Sequence, residues 1–279
     1  MTNRVFISVD MEGIGGITTL RQTYRGTDDY EWARRIMTDE TNAAIAGAFD
    51  AGASEVVVTD SHGDMGNLLP ERLDPRADLI QGTPKVPFSM MTGIAQGYDF
   101  TAFIGYHAGA GTPMAIMDHT YSGFITEVRV NDEVWNETDL NAALAGTFGV
   151  PVGLVAGDRA CVEQAGSRLP WVRGVAVKEG FGNRVGRTMS PERARAALRE
   201  AMAGVDVGSL EVFRPAGPFE LQTDYINTAV TDMAAFSPGT ERTGPRSTSF
   251  QNADFHEVYR CLLTWMHLGR HAAPAYQVD

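Results

Sequence analysis

The chain has 279 residues, 43% of them apolar and 21% charged, with 23 basic against 35 acidic side chains and a net charge of −12. That length suits one large domain or two lobes, and the acidic balance disfavours nucleic acid or an anionic membrane as partner, because both select a basic face. No run approaches the ~18 consecutive apolar residues of a membrane helix, and MTNRVFISVD lacks the basic and apolar regions of a signal peptide, so a cytoplasmic protein is expected.

Residues 4–9 read as a strand, and a helix follows over about 29–51, with Trp32, Ile36, Ala43 and Ala44 on one side and Gly52 as its stop. A strand at 55–59 precedes the polar loop DSHGDMGN. The apolar run 78–80, a helix at 88–95 and a strand at 100–106 come next. After a Gly-rich loop, arms at 121–130 and 133–135 with Asn131–Asp132 between them predict a hairpin. A helix at 137–148 and a strand at 151–156 continue the alternation. This order predicts an α/β fold, a doubly wound and mainly parallel sheet with helices on both faces.

The second half is more mixed. Ser190-Pro191 starts a helix that Gly204 ends. LEVF at 210–213, FELQTDYI and STSFQ are strand-like, a short helix covers 228–236, and a last helix covers 253–270. We expect an α/β metal-binding lobe over 1–160 and a smaller mixed α+β lobe over 161–279. Cys161 and Cys261 have no partner at CxxC spacing and are expected as buried thiols.

Chemistry-bearing residues gather at the ends of predicted strands. Asp10 and Glu12 close the first, His62 follows the second, and His107 follows the run FTAFIGY. The carboxyl ends of parallel strands share one rim, where α/β proteins bind ligands. Asp, Glu and neutral His are ligands that zinc accepts. Residues i and i+2 of a strand face the same way, so Asp10 and Glu12 could reach one metal, with Asp10 able to bridge two, or the pair could cap a turn. Asp60 could orient a ligand imidazole or cap its own loop. His119, beyond the loop AGAGTPMAIMD, could be a third nitrogen ligand, an acid–base, or a surface histidine at a hairpin edge. Glu137 opens a helix, where the dipole alone favours a carboxylate. His256, His267 and His271 read as packing or exposed helix residues, since the HxxxH pair lacks the glutamate of HExxH. Lys178 and Arg184 could meet a substrate carboxylate but read first as a solvated loop.

SVDMEG at 8–13, IMTDETNAAIAGAF at 36–49, VTDSHGDMGNL at 58–68 and IGYHAGAGTP at 104–113 resemble the zinc D-aminopeptidase family. So do VNDEVWNETDLNAALAG at 130–146, PVGLVAGD at 151–158, AVK at 176–178 and the helix start at 190. The resemblance implies two zinc ions per subunit that share Asp10. Glu12 and His62 would complete one site, His107 and Glu137 the other, and His119 would be catalytic. It further implies hydrolysis of short peptides or amides at a free N-terminus, with D configuration, and a homo-oligomer, plausibly a decamer, to whose interface LEVF could contribute a strand. Asp118, Tyr121 and residues 205–245 depart from the family pattern. Two readings from other classes are a metal-dependent phosphoesterase, for which GNH-acid and GHxH motifs are missing, and a metal- or ligand-binding protein without turnover.

Overall fold

The structure is a computed structural model that describes residues 3–273. Seven strands form the main sheet: β1 (Arg4–Val9), β2 (Glu55–Asp60), β3 (Asp78–Ile80), β4 (Phe100–Tyr106), β7 (Val152–Asp158), β8 (Arg173–Gly182) and β9 (Val185–Thr188). Their spatial order is β3-β2-β1-β4-β7-β8-β9. All neighbours pair in parallel except β8 and β9. The chain steps from β1 out to β2 and β3, then returns to the other side of β1 as β4. The strand order therefore reverses between β1 and β4, and a crevice opens at their carboxyl ends.

Helices cover both faces, as the alternation of elements predicts. On one face Val5, Ile7 and Val9 pack against α1 (Asp28–Asp50) and α4 (Pro191–Ala203), through Tyr30, Ala33, Met37, Ala44 and Ile45 of the first helix and Leu198 and Met202 of the second. Trp32, expected on the inner stripe of α1, is instead 36% exposed. Gly47 lets the two helices meet, because a Cβ there would lie 2.4 Å from the Arg199 carbonyl oxygen. On the other face Phe6, Phe103 and Val155 join Leu140 and Leu144 of α2 (Glu137–Thr147) and Cys161 and Ala165 of α3 (Arg159–Arg168).

That second core continues into an antiparallel sheet in the order β11-β12-β10-β5-β6. Its strands are β5 (Ile125–Val130), β6 (Glu133–Val134), β10 (Phe219–Tyr225), β11 (Glu241–Gly244) and β12 (Ser247–Asn252). The inner residues Val128, Val130, Leu221 and Tyr225 pack with Val258, Leu262 and Trp265 of α6 (Phe255–Gly269) and with α5 (Thr228–Ala234). Sheet membership crosses residue 160 in both directions: β8 and β9 belong to the first sheet, on which α4 packs, and β5 and β6 to the second. The predicted hairpin turn is present, with Asn131 and Asp132 both left-handed at φ 51° and 66°, the backbone of a tight two-residue hairpin.

Two expected elements differ. The helix at 88–95 is a pair of single 3-10 turns, Ser89–Met91 and Ile94–Gln96, because Gly93 between them has φ 109°. LEVF is not a strand. Its Phe213 carbonyl rests on Gly146 of α2, where a Cβ would come within 1.9 Å, and Arg214 donates to the Gly146 carbonyl. The segment thus packs on α2, on the Trp135 ring, 5.8 Å from Phe213 between centroids, and on β7 at Gly153. Both cysteines are buried free thiols. Among the described residues no helix is long and apolar enough to cross a membrane.

Candidate metal centre

Backbone contacts draw the strand ends together. Asp10 N–H donates to the Ile104 carbonyl at 2.8 Å, Gly13 N–H to Gly105 at 2.7 Å, and Ser61 N–H to Val9 at 2.8 Å. Only glycine fits at the crossing of β1 and β4. A Cβ on Gly13 would lie 1.9 Å from the Tyr106 oxygen, and Gly105, at φ +71°, passes so close to Asp10 that its Cβ would meet the Asp10 oxygen at 2.2 Å. The hairpin β5–β6 then folds the chain back between His119 and Glu137. Glu137 stands in the first turn of α2 behind the capping box of Asn136 and Asp139.

The six chemistry-bearing residues of the sequence meet here in two triplets. In each triplet one ligand atom per residue lies within 4.8 Å of the others: Asp10, Glu12 and His62 in the first, His107, His119 and Glu137 in the second. Asp10 faces both. Its Oδ1 lies 3.3 Å from His62 Nδ1 and its Oδ2 lies 3.4 Å from His107 Nε2. Glu12 Oε2 is 2.9 Å from His62 Nδ1, and Glu137 Oε1 is 3.4 Å from His107 Nε2 and 3.8 Å from His119 Nε2. His119 is the open member, its side chain 24% exposed against 1% for His107 and 4% for Asp10 and Glu137.

Each imidazole is tied on its far side to a main-chain carbonyl. His62 Nε2 donates to Thr23 at 2.8 Å, His107 Nδ1 to Ala108 at 3.0 Å and His119 Nδ1 to Met117 at 2.9 Å. Such a bond fixes the tautomer and leaves the other ring nitrogen as a lone pair. All three lone pairs then point at carboxylate oxygens, an arrangement that is repulsive unless positive charge lies between. The electrostatics carry the same message. Burial would raise Asp10, Glu12 and Glu137, yet the neighbouring imidazoles hold all three below the ordinary carboxylate range. Burial would lower His62 and His107, yet the facing carboxylates push both well above the usual 6.5. His107 Nε2 is buried with no hydrogen-bond partner. A buried, hard-to-hydrate set of carboxylates and imidazoles with an orphaned nitrogen fits divalent zinc. The geometry of the second triplet alone admits His119 as a third ligand.

Other residues serve differently from what their positions in sequence suggest. Lys178 is buried, not solvated, and its ammonium donates to the carbonyls of Glu12, Ile14 and Ile17, so it clamps the loop that carries Glu12. Burial pushes it down to about 8. Lys178 lies within β8, which runs past the predicted end of that strand; AVK at 176–178 is its signal in sequence. Arg184 is exposed in the β8–β9 turn. Asp60 caps its own loop, accepting from the main-chain N–H groups of Asn67 and Leu68, while the Thr23 carbonyl holds the His62 ring. His256 bonds Thr147 and stacks on Phe148, and His267 and His271 are exposed.

Comparison with known proteins places the chain in a family. The D-aminopeptidase family matches residues 3–264. A D-aminopeptidase of Bacillus subtilis (strain 168) is 37% identical over 268 residues, 95% of this chain and 97% of that one. Among solved structures, the Zn-dependent D-aminopeptidase DppA from Bacillus subtilis, described as a self-compartmentalizing protease, superposes with a TM-score of 0.94 at 36% identity over 98% of this chain and 100% of the other. With the match spanning nearly the whole chain, the protein belongs to the D-aminopeptidase family.

Proposed function

We propose that this chain is a zinc-dependent D-aminopeptidase with two ions per subunit, which releases the N-terminal residue of short peptides or amides. The observation that carries the reading is Asp10, whose two oxygens face two separate nitrogen-and-carboxylate triplets. Asp10, Glu12 and His62 would hold one ion, and Asp10, His107 and Glu137 the other. Bound zinc supplies Lewis acidity toward a carbonyl and lowers the pKa of water.

The chain's own groups then divide the work. Asp10 and Glu137 present oxygens whose direction is fixed by main-chain N–H groups, from Met11 at 2.8 Å and Tyr121 at 2.6 Å. His119, anchored through Nδ1 and open to solvent, offers Nε2 to accept a proton and return it to the leaving amine. Family membership over residues 3–264 favours amide hydrolysis over the phosphoesterase reading. An open, tethered histidine at the edge of the centre favours turnover over binding alone.

The relative described as self-compartmentalizing supports a homo-oligomer for this chain too, plausibly a decamer with enclosed sites that admit short peptides only. The deciding assay compares kcat/KM of the zinc-loaded protein on D-alanyl, L-alanyl and N-acetyl-D-alanyl p-nitroanilides. Turnover of D-alanyl alone is expected. Equal rates on the acetylated compound refute an aminopeptidase, and clear L preference refutes the stereochemistry. A stable monomer by light scattering refutes the assembly.

A further inference from the structure

Tyr121 touches the Glu137 side of the centre twice. Its main-chain N–H donates to Glu137 Oε1 at 2.6 Å. Its phenol reaches the same helix one turn later, 3.1 Å from Asn141 Oδ1, and donates to the Tyr259 hydroxyl at 2.7 Å. Tyr259, on α6, in turn donates to Asn141 Oδ1 at 2.7 Å. Asn141 Nδ2 passes the chain to the Tyr106 hydroxyl at 3.0 Å, which meets Ser8 Oγ at 2.7 Å. The network thus ties α2, α6, β4 and β1 beneath the site.

Tyr121 does this from a left-handed backbone, φ 59°. An aromatic residue adopts that conformation only where its surroundings impose it. Two restraints act on it here: the Ser122 N–H donates to the Thr120 carbonyl at 2.7 Å around the residue, and the phenol donates to Tyr259 at the far end of the ring. Without the phenol's bond only the tight turn would hold the residue, and its N–H would lose part of its aim at Glu137. The oxygen it holds is the one that faces both His107 and His119.

We propose that Tyr121 is a positioning residue for the second metal site: its phenol, held by Tyr259, which is itself bonded to Asn141, steadies the backbone N–H that aims the Glu137 carboxylate. The effect is local. Among the described residues Asp10, Glu12 and His62 make no hydrogen bond to this network, which nears the first site only at its far end, through Ser8 Oγ and Ser61 Oγ at 2.7 Å, so the second site should feel it first. The inference rests on the two-zinc reading.

The test equilibrates full-length wild type, Tyr121→Phe and Tyr259→Phe with buffers of graded free zinc and counts bound ions by elemental analysis. Glu12→Ala and Glu137→Ala identify which binding step belongs to which site. Tyr121→Phe should move the Glu137 step to ~10–100-fold higher free zinc, the usual cost of losing a group that orients a ligand, and leave the Glu12 step in place. Tyr259→Phe, which leaves residues 119–121 untouched, should move the same step by less, and it carries the test if Tyr121→Phe does not fold. Curves that coincide with wild type, or equal displacement of both steps, overturn the inference. A wild-type curve without two zinc steps overturns the two-zinc reading and this inference with it.

Discussion

The rings of His107 and His119 stack face to face, 4.0 Å between centroids and 12° between planes. The stack leaves His107 inside the centre and His119 at its open edge. With His107 neutral against a metal, the proton traffic falls to His119. His119→Ala should lower kcat by ~10²–10⁴-fold while elemental analysis still finds the wild-type zinc content. Near wild-type turnover with metal fully bound would remove the catalytic role.

Asp10 belongs to the first triplet and reaches His107 of the second through Oδ2, 3.4 Å away. Asp10→Ala should therefore lose both ions, whereas Glu12→Ala and Glu137→Ala should each lose chiefly one. Metal analysis of the purified variants decides the matter, and two ions retained in Asp10→Ala would defeat the bridging assignment.

Lys178 satisfies three buried carbonyls of the loop that begins at Glu12. In Lys178→Met those oxygens lose their donor inside the protein. Unmade buried hydrogen bonds are costly, and a loss of about 2–4 kcal/mol is expected in denaturant unfolding, with weaker zinc binding at the Glu12 side. Unchanged stability would show that water replaces the ammonium.

Glu40 sits fully buried on α1 and accepts from Gly15 N–H at 3.0 Å. Burial pushes it up to about 7 from 4.5, against the partial relief of the Gly15 bond and of Lys178. A raised carboxyl binds its proton more tightly in the folded chain, so its contribution to stability is complete below pH 4.5 and is lost as pH rises through 7. The loss amounts to about 3 kcal/mol. Glu40→Gln keeps the acceptor without the charge. Its advantage over wild type should grow between pH 5 and pH 8 in paired denaturant titrations, and a constant difference would refute the assignment.

The strands and the rim were readable in sequence because buried parallel strands are near-continuous apolar runs, and Asp10, His62 and His107 each follow one. Glu137 was not readable in that way. A carboxylate in a first helical turn has a sufficient local reason to be there, so only the resemblance singled it out, and the structure brings it within reach of His107 by folding the β5–β6 hairpin between them. Lys178 was misplaced because a charged residue after a strand is ordinarily solvated, and three carbonyls from 160 residues earlier are invisible to local pattern. LEVF has strand composition but packs its Phe213 carbonyl on Gly146 of α2 and pairs with no strand among the described residues. The tyrosine network escaped notice for the same reason: its members are far apart in sequence and ordinary one by one.

The clamp on Glu12 comes from β8 and the lock on Tyr121 from α6, whereas all six side chains of the centre lie between residues 10 and 137. A growing chain therefore carries its full complement of reactive groups long before it can arrange them. Synthesis must pass Lys178 to steady the first triplet and Tyr259 to steady the second.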